Sequence, residues 1–183
     1  MINNFECYHG TGKLNYEKII KSQQFNFKPR PNHWLGDGVY FFVNDYKRAE
    51  WWAANNRPDK STSPIVLYTV ITIDDDELLN LDHSKGLDDL DDFAREFYTS
   101  IQRNHVIIKI ENDDDLHEWQ YKLLQAFLVH SDKKGKYYKG VLRTFEVNLQ
   151  TGRSYFPALA KQFCVRDTTL IDLSKLKIAK RRR

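Results

Sequence analysis

Apolar positions along the chain change their period several times, and each change marks an element. In NFECYHG, Phe5, Cys7 and His9 alternate with their neighbours, the period of a short strand ending at Gly10. NYEKIIKSQQF then offers Asn15 as an N-cap and a short helix carrying Ile19 and Ile20. Residues 26–38 hold two Pro and two Gly and predict a loop. GVYFFV predicts the next strand, and Asn44 or Asp45 caps a helix, YKRAEWWAANN, that stops before Pro58. PIVLYTVITID, rich in β-branched residues, is the clearest strand.

Two amphipathic helices follow. In DDLDDFAREFYTSIQR, Leu90, Phe93, Ala94, Phe97 and Ile101 recur at helical spacing, with carboxylates at the N-terminal end where the helix dipole favours them. In DDDLHEWQYKLLQAFLVH, Leu116, Trp119, Leu123, Phe127 and Val129 form a stripe that Leu124 and Leu128 broaden. The last third, GVLRTFEVNL, QFCVRD and TLIDLSKLKI, returns to β character. Strands and helices do not alternate regularly, which argues against a doubly wound parallel sheet and for a mixed α+β domain. A single domain over residues 1–178 is expected, followed by a basic tail at 179–183.

Composition narrows the class. The chain has 183 residues, 41% hydrophobic and 29% charged, as a soluble globular domain with a real core would. Aromatics reach 14%, enough to fill a core with rings or to build a pocket for a flat ligand. Cys7 and Cys164 are the two cysteines, which makes no disulfide framework and points to a reducing cytoplasm. MINNFECYHG has neither the basic nor the apolar region of a secretory signal, and no apolar run is long enough to span a membrane.

Net charge is only +3, but it is unevenly spread. Acidic runs occupy 74–77, 88–92 and 111–115, whereas SKLKIAKRRR is strongly basic. Such an end either contacts phosphates or is a solvated terminus. Several chemistries lack their residues. There is no CxxC or HExxH, so no metal is expected, and no GxxxxGK[ST] loop or GxSxG elbow. The GDG at 36–38 lacks the third Gly of a dinucleotide fingerprint.

What remains is a set of three motifs: His9-Gly10-Thr11, then Gly36 to Phe41 (GDGVYF), then Trp51 eleven residues after Tyr40. Together they resemble the ADP-ribosyltransferase superfamily, in its diphtheria-toxin-like and poly(ADP-ribose) polymerase-like branch. The likeness covers roughly residues 5–55, with a weaker match near the C-terminus. It implies a split mixed or antiparallel sheet with flanking helices, and NAD+ as co-substrate. It also implies roles: Gly10 holds the nicotinamide carboxamide, Tyr40 and Trp51 sandwich the ring, and His9 with Thr11 bonds the adenosine-side ribose. Aromatic faces suit a flat cationic ring, and a glycine backbone allows close approach.

The family's third element is a Glu on a late strand. The matching stretch here is KQFCVRDTTLI, which puts Gln162 at that position, and Arg48 stands where many relatives have a small Ser. A neutral amide can bond the ribose 2′-hydroxyl but supplies no negative charge to the transition state. The resemblance therefore implies mono-ADP-ribosyl transfer with His9, Tyr40 and Gln162 as the catalytic triad. By analogy it suggests a bacterial toxin or anti-phage defence effector with a neutralising (antitoxin) partner. The acceptor is expected to be a macromolecule, RNA or DNA favoured over protein because of the basic end, with no membrane involved. The alternatives are a non-catalytic NAD+ or ADP-ribose binding module and an RNA 2′-phosphotransferase-like enzyme.

Overall fold

A computed structural model describes residues 1–28, 33–57, 60–105, 116–147 and 158–180. The expected acidic run at 111–115 and the last three arginines lie outside these residues. The elements are β1 (Ile2–Gly12), α1 (Lys13–Ser22), β2 (Val39–Val43), α2 (Tyr46–Asn55), β3 (Pro64–Asp74), β4 (Leu78–Asn80), α3 (Ser84–Arg103), α4 (Leu116–Lys133), β5 (Gly140–Val147), β6 (Ala158–Val165) and β7 (Lys177–Ile178). All seven strands join one sheet in the order β4-β5-β6-β2-β1-β3-β7. The β4–β5 pair is parallel and the other five are antiparallel, so the α+β expectation holds with a mixed sheet.

Strand alternation sorts the core into two layers. Cys7, Phe41, Leu67, Ile71 and Phe163 are buried on one face beneath Ile19 of α1. Leu35, Val141 and Cys164 face the other way, against Leu124, Phe127 and Leu128 of α4 and Phe93 of α3. The same second face carries α2, which rests on β1 and β3. Both cysteines are free and buried. Among the described residues no helix is long and apolar enough to cross a membrane.

Several elements begin elsewhere than the pattern predicted. β1 runs on to Gly12, because β3 matches it residue for residue from Ile2–Asp74 to Gly12–Pro64. As a result α1 starts at Lys13, and Asn15 lies inside its first turn, donating from Nδ2 to Thr11 Oγ1 at 2.9 Å rather than capping. α3 starts at Ser84, so no acidic residue falls in its first turn. Gly86 permits the early start: a Cβ there would come within 2.2 Å of the Asn80 carbonyl, so only glycine lets this turn lie against β4. Asp45 does cap α2, its carboxylate accepting from Arg48 N–H at 3.0 Å. The predicted C-terminal strand shrinks to β7, and Ala179 N–H still bonds Val66 O at 2.8 Å, one residue past the expected domain end.

Gly10 sets the height of α2 over the sheet. A Cβ on Gly10 would stand 2.2 Å from the Ala49 carbonyl and 2.9 Å from Ala53 N, both backbone atoms of α2. Neither can yield as a side chain would. Gly10→Ala should therefore destabilise the fold by about 1–3 kcal/mol, the usual range for overpacking. Urea unfolding of the variant checks this, and an unchanged midpoint would mean that α2 does not rest on β1.

Candidate functional site

The site begins where two central strands part. β1 and β2 register at Cys7–Val43 and Tyr8–Phe42. Beyond Tyr8, β1 continues alongside β3, while β2 continues alongside β6 from Phe42–Gln162 to Val39–Val165. A cavity of about 520 Å³ opens in the gap. One face of the sheet contributes His9, Thr11 and Phe41 to its lining; the other contributes Gly10, Tyr40, Phe42 and Gln162.

The His9 imidazole bridges the gap. Its Nδ1 lies 2.8 Å from the Tyr40 carbonyl. A carbonyl only accepts, so Nδ1 carries the proton and Nε2 is left as an acceptor while the ring is neutral. Phe25 and Phe41 pack on that ring with centroids 5.5 and 5.6 Å away. Burial lowers the His9 pKa, and the bond to Tyr40 O opposes that shift less strongly. At neutral pH the cavity thus holds a neutral imidazole of fixed tautomer.

Tyr40 offers its ring rather than its hydroxyl. The hydroxyl accepts from Leu35 N–H and donates to the Gly36 carbonyl, both at 2.8 Å, so the phenol is tied into the turn before β2. Burial pushes its pKa up. Gly36 adopts φ +83° there, the conformation that glycine reaches most easily.

Gly10 presents its backbone to the same gap. Asn44 N–H bonds Glu6 O across to β2, and Lys13 N–H bonds Ser63 O on the β3 side. Alternation along β1 then turns the N–H and C=O of Gly10 toward β2, where pairing has ended. Its missing side chain serves α2, and its backbone edge lines the cavity.

Two expected ligand residues stand elsewhere. Ala49 and Ala53 face Gly10, so at about 100° per residue Trp51 points away from the sheet; it is 51% exposed and off the cavity wall. Trp52, one position on, turns to the cavity and packs near Phe42 with centroids 6.5 Å apart. Arg48 is also absent from the lining, its guanidinium 3.7 Å from Asp45. Motif spacing located the helix but not its rotation, which the two alanines determine.

Sequence reasoning also passed over the cations. Lys18, Lys28 and Arg57 line the cavity, which has no Asp or Glu among the described lining residues. Arg57 is buried and donates to the Ala53, Lys60 and Thr62 carbonyls, holding the end of α2 to the approach to β3. These residues belong to no motif, so only the fold reveals their convergence. Trp34 joins the wall too, with its ring 4.9 Å from that of Phe145.

No family model matches the chain, and no solved structure matches it. Over 44 residues it is 41% identical to an uncharacterized protein of Methanocaldococcus jannaschii. That stretch covers 24% of this chain and 21% of the other, too little to assign a family.

The depressed His9 pKa gives a stability signature. The unfolded chain takes up this proton near pH 6.5, whereas the native ring resists it until lower pH. Stability should fall as pH drops below about 6.5, by at most about 1.4 kcal/mol per pH unit from this group. Urea unfolding at a series of pH values should show a steeper loss for the parent than for His9→Gln. Parallel curves would mean that His9 titrates alike in both states.

Proposed function

We propose that this protein is an NAD+-dependent ADP-ribosyltransferase that moves a single ADP-ribose unit to a macromolecule. The observation that supports the reading best is the meeting of His9, Gly10, Tyr40 and Gln162, from three strands, at one cation-lined cavity. These residues fit NAD+. The Gly10 backbone edge matches a carboxamide that needs both a donor and an acceptor. Tyr40 offers a ring face to nicotinamide, and α2 contributes Trp52 to the cavity wall in place of Trp51. Lys18, Lys28 and Arg57 suit a diphosphate.

In the reaction, the bond from ribose C1′ to the nicotinamide nitrogen breaks, and its electron pair leaves with nicotinamide. A lone pair on the acceptor forms the new bond to C1′, and the acceptor's proton passes to a base of its own or to water. Positive charge builds on the ribose as the bond breaks. A neutral His9 does not oppose that charge, and its Nε2 can accept from a ribose hydroxyl. Gln162 can bond the 2′-hydroxyl but adds no charge, which favours one transfer over chain growth. The two free, buried thiols suit a reducing cytoplasm. A toxin or defence role with a neutralising partner rests on family analogy alone.

Two other readings have specific support. Gln162 in place of an acid favours a non-catalytic NAD+ or ADP-ribose binder. The three cavity cations favour a transferase acting on an RNA 2′-phosphate. Incubation with labelled NAD+ and total protein or nucleic acid separates the readings: covalent label on a macromolecule is expected. Binding without label would select the module, and phosphate loss from a 2′-phosphorylated RNA the third reading.

Calorimetric titration should detect NAD+ binding, and His9→Ala should weaken both binding and turnover. Absence of binding at millimolar NAD+ in a folded sample would defeat the pocket assignment. Gln162→Ala should lower transfer while changing NAD+ affinity by less than about tenfold, roughly 1.4 kcal/mol. A fully active Gln162→Ala would remove this residue from the chemistry, and Glu146, the carboxylate that the sequence offers in its place, lies off the cavity wall.

A further inference from the structure

We propose that His33, held by Asp37, is the general base that takes the acceptor's proton, a duty that would otherwise fall to water or to the acceptor. The role rests on the transferase reading above and falls to a residue that no sequence motif marked.

The lining of the cavity narrows the choice of base. Gln162 is a neutral amide and takes no proton near neutral pH. The Tyr40 hydroxyl is tied to Leu35 N–H and the Gly36 carbonyl. His9 carries its proton on Nδ1, and the reading above gives its Nε2 to a ribose hydroxyl. Lys18, Lys28 and Arg57 are cations, and the described lining residues include no Asp or Glu. Among those residues that leaves one imidazole, His33. Histidine is also the side chain whose ordinary pKa suits proton transfer near neutrality.

His33 stands on the side of the cavity where the bond would form. Its ring centroid lies 5.1 Å from that of Tyr40. Tyr40 pairs with Cys164 across β2 and β6, two residues along from Gln162 on the same face. Such diagonal neighbours are about 7–8 Å apart, so one sugar can reach both. His33, Tyr40 and Gln162 thus gather over one face of the sheet, and His9 enters from the other.

A short series of polar groups holds the ring from behind. His33 Nδ1 is buried and stands 4.0 Å from Asp37 Oδ1. That is an ion-pair separation, longer than a hydrogen bond, and contacts of this kind commonly tighten once substrate is bound. Tyr121 Oη donates to the same Asp37 oxygen at 3.2 Å and anchors the carboxylate to α4. Gly36 N–H bonds His33 O at 2.9 Å, closing the turn between the two residues. With Nδ1 facing Asp37, Nε2 is the nitrogen that takes the proton. Of the other titratable groups around this wall, Tyr40 and Tyr121 are phenols, and Glu118 and Lys122 of α4 pair with each other at 2.6 Å. The three cavity cations disfavour an imidazolium, and the Asp37 carboxylate offsets them.

As the acceptor's lone pair bonds C1′, its proton passes to Nε2 of a neutral His33. The electron pair of the C1′–nitrogen bond leaves with nicotinamide. The imidazolium, stabilised by Asp37, then releases the proton to solvent. Asp37 is a positioning residue in this step, because it acts through His33.

Transfer of label from NAD+ to total protein or nucleic acid, followed across about pH 5 to 9, tests this, with release of nicotinamide reporting transfer to water. The log of the parent rate should rise with pH and level off in the histidine range, near about pH 6.5. Burial lowers the His9 pKa, so His9 titrates below that bend. His33→Gln should lower the plateau by about 100-fold or more and remove the bend, while NAD+ affinity changes by less than about threefold. Added imidazole should restore part of the rate to His33→Gly. Asp37→Asn removes a negative charge beside the ring, so the bend should move to lower pH. Histidine NMR without NAD+ should show the same fall in the His33 pKa, and an unmoved value would overturn the pairing. A parent that transfers label, with His33→Gln equally fast or slower but keeping the bend, would overturn the base and leave the transferase reading standing. A parent that binds NAD+ yet labels nothing and releases no nicotinamide would overturn the transferase reading and the base with it.

Discussion

One hydrogen bond crosses the place where the sheet comes apart, from His9 Nδ1 to the Tyr40 carbonyl at 2.8 Å. A side chain thus takes the place of the backbone ladder between β1 and β2 after the Tyr8–Phe42 pair. The consequences run outward from it. The imidazole is held in one tautomer, the gap stays open beside it, and the backbone edge of Gly10 faces an opening instead of a partner strand. Without the divergence, β1 and β2 would zip together and the cavity would close. Burial between Phe25 and Phe41 then keeps the ring neutral, which fits a site where positive charge would build.

Gly10 shows how two demands can meet in one residue. Its side-chain direction is filled by the backbone of α2, and its polar edge looks into the gap. The sequence reading assigned this glycine to close ligand approach alone, whereas helix packing already excludes any other residue. The packing also orients α2, since Ala49 and Ala53 must face Gly10. That rotation turns Trp52 to the cavity and leaves Trp51 to solvent.

The legible parts of the fold were those with strong local patterns. PIVLYTVITID became β3 with the expected bounds, and GVYFFV became β2 without its glycine. Asp45 was legible as a cap because its role is local. Boundaries set by tertiary contact were not: β1 extends because β3 pairs with it throughout, and α3 starts early because Gly86 fits against β4. At the site, His9, Tyr40 and Gln162 were found by motif, and strand register brings all three to one cavity. Lys18, Lys28 and Arg57 were invisible, since they come from separate elements and share no spacing.

The central claim is that a neutral, Nδ1-protonated His9 faces a dinucleotide-sized cavity with Nε2 free to accept. Long-range nitrogen–proton NMR of the histidine rings, recorded with and without NAD+, tests this directly. The account predicts an Nδ1–H tautomer for His9, a pKa below about 6.5, and a shift of Nε2 to a hydrogen-bonded position on saturation with NAD+. An Nε2–H tautomer, or an Nε2 resonance unmoved by millimolar NAD+, would contradict it.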